Sequence, residues 1–167
     1  MTEMAAANET GCCPRFDPNP WDEKEVEFVD KLFIKDRVRS FLHVPLNFGK
    51  VMIRCMTKIQ DAGAEATEML ILCDENSLWG ADVYVAVGKE VAAANTVRLS
   101  GRYLTKVFEG PFKDVRKWCA EMKQYVQDKG KPFKKMLSYY TTCPKCAKSY
   151  GKNYVVLFAE IQGSAQE

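Results

Sequence analysis

No apolar run in this 167-residue chain approaches the roughly 20 residues that a membrane-spanning helix needs. The N-terminal stretch MTEMAAANETGCCP also lacks the basic start and following apolar segment of an export signal. Membrane insertion and secretion are therefore not expected, and a cytoplasmic location is. Charge of one sign is scarce as well. Lys and Arg number 24 against 22 Asp and Glu, a net charge of +2, and the two signs alternate along most segments. A nucleic-acid binder shows a basic stripe with exposed aromatics between its charges. The densest basic stretch here, KDRVR (Lys35–Arg39), carries its own acid and an apolar residue, so it reads as a solvated strand face and no nucleic-acid partner is expected. Histidine occurs once, at His43. Cysteine is not scarce, but its seven copies are an odd number, and without an export signal they read as reduced thiols and not as a disulfide framework.

A hydrophobic content of 47% suits one compact domain with a sizeable core, or two small half-domains sharing one. Residues 1–25 form a tail and arm: Met1–Gly11 has nothing to bury, and CCPRFDPNPWD is extended, with Phe16 and Trp21 needing a surface to lie on. Clean periodicities follow. VRSFLHVPL alternates as a strand does, with Val38, Ser40, Leu42 and Val44 on one side and Arg39, Phe41 and His43 on the other. From Phe48 the spacing becomes helical through Val51, Met52, Cys55, Met56 and Ile59, with Asn47 as N-cap and Gly63 as stop. EMLILC and ADVYVAV are strands. The order then repeats: TVRLSGRYLTKVF is a strand, and Pro111 opens a second helix with Phe112, Val115, Trp118, Cys119, Met122, Tyr125 and Val126 on its buried stripe. Gly130 and Pro132 end it before the strands KMLSYYTT and NYVVLFAEI.

The expected fold is thus α+β, a β-α-β-β unit used twice over residues 26–161 (repeats about 26–94 and 95–161), with 162–167 as a C-terminal tail. Two such units side by side make a continuous antiparallel sheet with both helices on one face, leaving the other face and a groove between the halves for a ligand or partner. Alternation assigns that open face. In NYVVLFAEI, Val155, Leu157, Ala159 and Ile161 belong under the helices, so Tyr154, Val156, Phe158 and Glu160 are open. In ADVYVAV the open set is Asp82, Tyr84 and Ala86. For GRYLTKVF either Gly101, Tyr103 and Thr105 or Arg102, Leu104 and Lys106 are open, and SYYTT sends Tyr139 and Tyr140 to opposite sides. Any one tyrosine on a sheet is ordinary packing. Trp79, Tyr84, Tyr154 and Phe158 around Glu160 or Glu75, however, supply what an aromatic-walled pocket with an acidic floor requires: apolar contact, cation–π attraction and one carboxylate.

The stretches LSGRYLTKVFEGPFKDVRKW and NSLWGADVYVAV, set in the duplicated order, resemble the GyrI-like superfamily over about Val26 to Ile161. The first is similar to the start of that family's second repeat, the second to the segment many relatives write as LEGLWW. The resemblance implies a ligand groove between the halves and a small-molecule ligand, as in multidrug-sensing domains, toxin-binding proteins and hydrolases of cyclopropane-containing DNA alkylators. Trp79 matches the first Trp of LEGLWW, while the motif's glutamate falls at Asn76, so that either Glu75 takes over with a one-residue slip or Glu160 serves. With no helix-turn-helix segment ahead of it, the domain is expected to stand alone. For hydrolysis, the rings would hold a planar electrophile, Glu75 or Glu160 would orient a water, and Tyr103 or Tyr140 would donate to the developing oxygen charge.

This reading needs no cofactor, and the oligomeric state is open. Cys143-x-x-Cys146 with Cys12 and Cys13 could close a structural zinc site; free thiols and a redox pair are the alternatives, the last disfavoured by hairpin-like flanks. His43 is expected at the groove edge, with haem or tetrapyrrole binding as a further alternative. The competing class is an interaction module that docks a protein on the open sheet face through Trp79.

Overall fold

The computed structural model describes residues 17–41, 44–45, 47–67, 70–77, 79–141 and 154–163. It is an α+β structure with two helices and mostly antiparallel strands. In chain order the elements are β1 (Lys24–Phe41), β2 (Val44–Pro45), α1 (Phe48–Ala62), β3 (Ile71–Ser77), β4 (Gly80–Ala86) and β5 (Asn95–Glu109). A short 3-10 turn at Phe112–Asp114 then leads into α2 (Val115–Asp128), followed by β6 (Lys135–Tyr140) and β7 (Tyr154–Gly163). The described residues divide into two compact units, one made of Glu27–Arg102 with Gly163, the other of Tyr103–Gln162 with residues 17–26. β1 and β5 each pass from one unit into the other.

In the Glu27–Arg102 unit the strands lie in the order β2-β1-β4-β3. β1 begins well before the stretch whose alternation marks it as a strand, and the reason is local. Asp30 has a positive φ of 48°, its N–H donates to Ser100 Oγ at 2.9 Å, and the strand slips phase there. Phe28 and Phe33, of opposite parity in sequence, consequently meet with ring centroids 5.9 Å apart. α1 buries Val51, Cys55 and Ile59, the spacing the periodicity predicts, and ends at Gly63 in the left-handed conformation with its N–H on the carbonyl of Gln60. Asn47 precedes the helix but makes no capping bond; its Oδ1 accepts the N–H of Arg39 at 2.6 Å and ties the helix start to β1. The other tie is Asp36, whose carboxylate accepts Nε and Nη2 of Arg54 at 2.8 and 2.7 Å and the thiol of Cys55 at 3.6 Å.

β4 passes so close to β1 that only glycine fits at position 80. A Cβ there would stand 2.8 Å from the Val38 carbonyl and from the Arg37 guanidinium. The guanidinium can swing away but the carbonyl belongs to the sheet. Gly80→Ala is therefore expected to lower stability by about 1–3 kcal/mol in urea unfolding, the range for overpacking.

In the other unit β7 lies between β6 and β5. α2 packs its Trp118, Met122 and Val126 on Leu104 and Phe108 of β5 and on Val155, Leu157, Ala159 and Ile161 of β7, the aliphatic set that alternation places there.

Candidate functional site

Since cross-strand partners in an antiparallel pair share a face, the register of β6 and β7 sorts their side chains. Met136 opposite Ala159, and Tyr140 opposite Val155, lie against the α2 core. Leu137 opposite Phe158, and Tyr139 opposite Val156, lie on the other face. Tyr103 of β5 joins them, with its ring 6.1 Å from Phe158 and nearly edge-on, which decides the parity of β5 that the sequence leaves open. Tyr103 and Phe158 are buried, yet not beneath α2. Phe158 is covered by Trp21, from the turn ahead of β1, whose ring lies 5.4 Å from Phe158 and 6.0 Å from Tyr139 and is itself half-buried.

Trp21 is held there by main-chain contacts. The Trp21 and Asp22 N–H groups both reach the Pro18 carbonyl at 3.0 Å, closing a turn. The hydroxyl of Thr105, fully buried, donates to the Trp21 carbonyl at 2.6 Å, and the Val107 N–H donates to Asp22 Oδ1 at 3.2 Å. Trp21 and Tyr139 are absent from the residue set the sequence singles out. The signal was partial: Trp21 on a proline-rich arm needs a surface, but nothing local says which one.

The other sequence-predicted residues of this unit are placed as follows. Glu160 is half-buried, two positions from Phe158 and so on the same face of β7, opposite Lys135. Tyr154, half-buried, begins the same row, and its carbonyl accepts the Thr141 hydroxyl at 2.7 Å. Tyr140 packs against the α2 core. Nearby on α2, Tyr125 has its hydroxyl pushed up in pKa by burial and then by the charges of Glu23 and Asp22.

In the Glu27–Arg102 unit, Tyr84 sits on the face of β4 turned away from the Asp36–α1 tie. Its ring meets Phe33 edge-on at 6.3 Å and carries the Lys35 ammonium 5.7 Å from its centre. On the same face Asp82 is opposite Asp74, a like-charged pair balanced by Arg37 at 3.1 Å and Lys35 at 3.8 Å from Asp82. Trp79 occupies the turn between β3 and β4 and is 61% exposed, with its carbonyl accepting the Ser40 N–H. Glu75 is exposed beside Cys73, whose thiol is pushed up to about 12 by burial and, less, by the Glu75 charge. Cys55 is likewise pushed up to about 11 by burial and by Asp36, so both buried cysteines are neutral thiols at pH 7 without nucleophilic character. His43, Cys12, Cys13, Cys143 and Cys146 lie outside the described residues. Among the described residues no group of three or more His, Cys, Asp or Glu side chains could hold a metal ion, and no helix is long and apolar enough to cross a membrane.

Solved structures share this fold. SAV2435 bound to tetraphenylphosphonium aligns with a TM-score of 0.51 at 15% identity, covering 84% of this chain and 93% of that one. A Staphylococcus aureus MU50 protein assigned provisionally to transcription regulation aligns with a TM-score of 0.51 at 14% identity, covering 86% of this chain and 99% of its own. No curated protein matches the sequence. A family model described as bacterial hydrolase matches residues 3–161, and the chain belongs to that family.

Proposed function

We propose that this protein binds small aromatic, amphipathic or cationic molecules on the ring-lined face of β5, β6 and β7, and that it hydrolyses strained electrophiles among them. The observation that carries the reading is the meeting of Trp21, Tyr103, Tyr139 and Phe158 on the side away from α2, with the half-buried Glu160 in the same row as Phe158. Such rings offer broad apolar contact and negative π faces, while one carboxylate favours a cation or takes a proton. The tetraphenylphosphonium complex of a protein with this fold and the family's hydrolase description support it.

For the chemistry, the Glu160 carboxylate takes a proton from a water as its oxygen attacks a cyclopropane carbon. The ring C–C electrons pass into the conjugated carbonyl, which becomes a phenolate and then receives the proton. Tyr103 would donate a hydrogen bond to that oxygen.

Tetraphenylphosphonium, followed by calorimetry, is the first probe. Micromolar binding is expected, weakened about tenfold by Tyr139→Ala through loss of a ring contact. Glu160→Gln should weaken the cation severalfold while leaving neutral triphenylphosphine oxide unchanged. Equal effects on both ligands would remove the carboxylate from the site. Turnover of a cyclopropanoid substrate that persists in Glu160→Gln and falls in Glu75→Gln would move the base to Glu75. A second reading, a protein-docking anchor, is favoured by the 61% exposure of Trp79. Loss of tetraphenylphosphonium affinity in Trp79→Ala would instead make Trp79 a ligand contact.

A further inference from the structure

We propose that residues 18–23 form a movable strap, and that a ligand using the aromatic face must lift Trp21 off it, so that Trp21 selects what enters. The proposal rests on the small-molecule reading above. Its starting point is that Phe158, at the centre of the ring cluster, has no exposed surface at all. A ligand can stack on Phe158 only by taking the place of something that covers it. Tyr103 is buried within β5 and cannot leave without breaking the sheet, whereas Trp21 lies outside every strand and is half-buried.

The strap is built to move as one piece. Pro18 and Pro20 restrict its backbone, and the Pro18 carbonyl accepts two of its N–H groups, so the turn carries its own hydrogen bonds wherever it goes. The residue joining it to β1 is Glu23, whose φ of 52° is a left-handed conformation that non-glycine residues seldom adopt. Swinging the strap out lets Glu23 relax. What opposes opening is chiefly Thr105. Its fully buried hydroxyl gives a short hydrogen bond to the Trp21 carbonyl and, among the described residues, has the Lys24 carbonyl at 3.4 Å as its further acceptor. Besides the Trp21 ring contacts, the other polar holds among the described residues are surface ones, the Asp22 carboxylate on the Val107 N–H and the 3.7 Å pair of Glu23 with Lys106. Trp21 meets Phe158 at 50° and not flat, a contact that an aromatic ligand ring can reproduce, so displacement is an exchange of like for like.

The test uses the full chain with Trp79→Phe and Trp118→Phe, leaving Trp21 as the sole indole emitter. Thr105→Val removes the hydroxyl at constant shape and Thr105→Ser restores it. In the Val variant, acrylamide quenching of Trp21 without ligand should at least double. The association rate of tetraphenylphosphonium, measured by stopped flow, should rise about five- to tenfold, the factor carried by one hydrogen bond, and Thr105→Ser should return it towards the parent value. Saturating tetraphenylphosphonium should also raise Trp21 quenching in the parent. Binding with unchanged association rate and unchanged Trp21 quenching would overturn the strap while leaving the ring-lined site standing. Absence of binding in every variant would overturn the site reading and the strap with it. Should Thr105→Val fail to fold, Trp21→Ala replaces it: faster association is expected, and association at the parent rate would overturn the proposal.

Discussion

Phe158→Ala is expected to lower the stability of the chain by about 3–5 kcal/mol, the cost of emptying a fully buried aromatic position. Phe158 has no exposed surface and touches Trp21 and Tyr103. Its neighbours are poorly able to collapse into the void, since Tyr103 and the cross-strand Leu137 are fixed by strand pairing. Phe158→Leu, which keeps most of the volume, should cost less than half as much. Urea unfolding with unchanged slope measures both. A further consequence separates this from any core truncation: with the seat beneath it gone, Trp21 should lose its place and its emission should move to the red under native conditions. A stability loss below about 1 kcal/mol would mean that the strap and β7 repack freely, contrary to a fixed register.

The second large effect concerns Asp36. Its carboxyl is held below its ordinary pKa of 3.8, first by the hydrogen bonds from Arg54 and then, against the opposing effect of burial, by the Arg37 N–H and the Arg54 charge. A carboxyl whose folded pKa is depressed stabilises the fold when ionised. That contribution is complete above the unfolded pKa and is lost as pH falls through the unfolded value towards the folded one. Asp36→Asn should therefore cost about 1 kcal/mol at pH 7, because the half-exposed Arg54 guanidinium is screened by solvent. The gap between variant and parent should narrow as pH falls through the ordinary carboxyl value of 3.8 towards the lower folded one. Thermal melts across that range measure it. In the same variant the Cys55 thiol should titrate below its present value of about 11, because the Asp36 charge that helps to hold it up is gone. A constant gap between the melting curves would show that Asp36 acts through shape and not through charge.

Much of the framework is legible without coordinates because local periodicity reports local burial. α1 and α2 bury Val51, Cys55, Ile59 and Trp118, Met122, Val126, all positions of the predicted stripes. The two faces of β7 separate as alternation requires, since one face must meet a helix. β1 was only half legible. The positive φ at Asp30 shifts the phase of the strand, and a period-2 reading cannot follow a pattern that changes parity midway. Asn47 looked like a helix cap by residue type, but a partner from another element, the Arg39 N–H, claims its side chain.

The candidate site divides along the same line. That Phe158 and Glu160 share one face of β7, opposite the aliphatic set that meets α2, follows from strand phase and belongs to the sequence, whereas the side taken by Tyr103 does not. That Trp21 covers Phe158, that Tyr139 and not Tyr140 meets it, and that Asp74 and Asp82 face each other across β3 and β4 are matters of register and long-range contact. Periodicity says which way a side chain points, whereas only the packed chain says what it finds there. The buried Thr105 hydroxyl shows the difference most plainly: its acceptor lies more than eighty residues away, and no local pattern can name it.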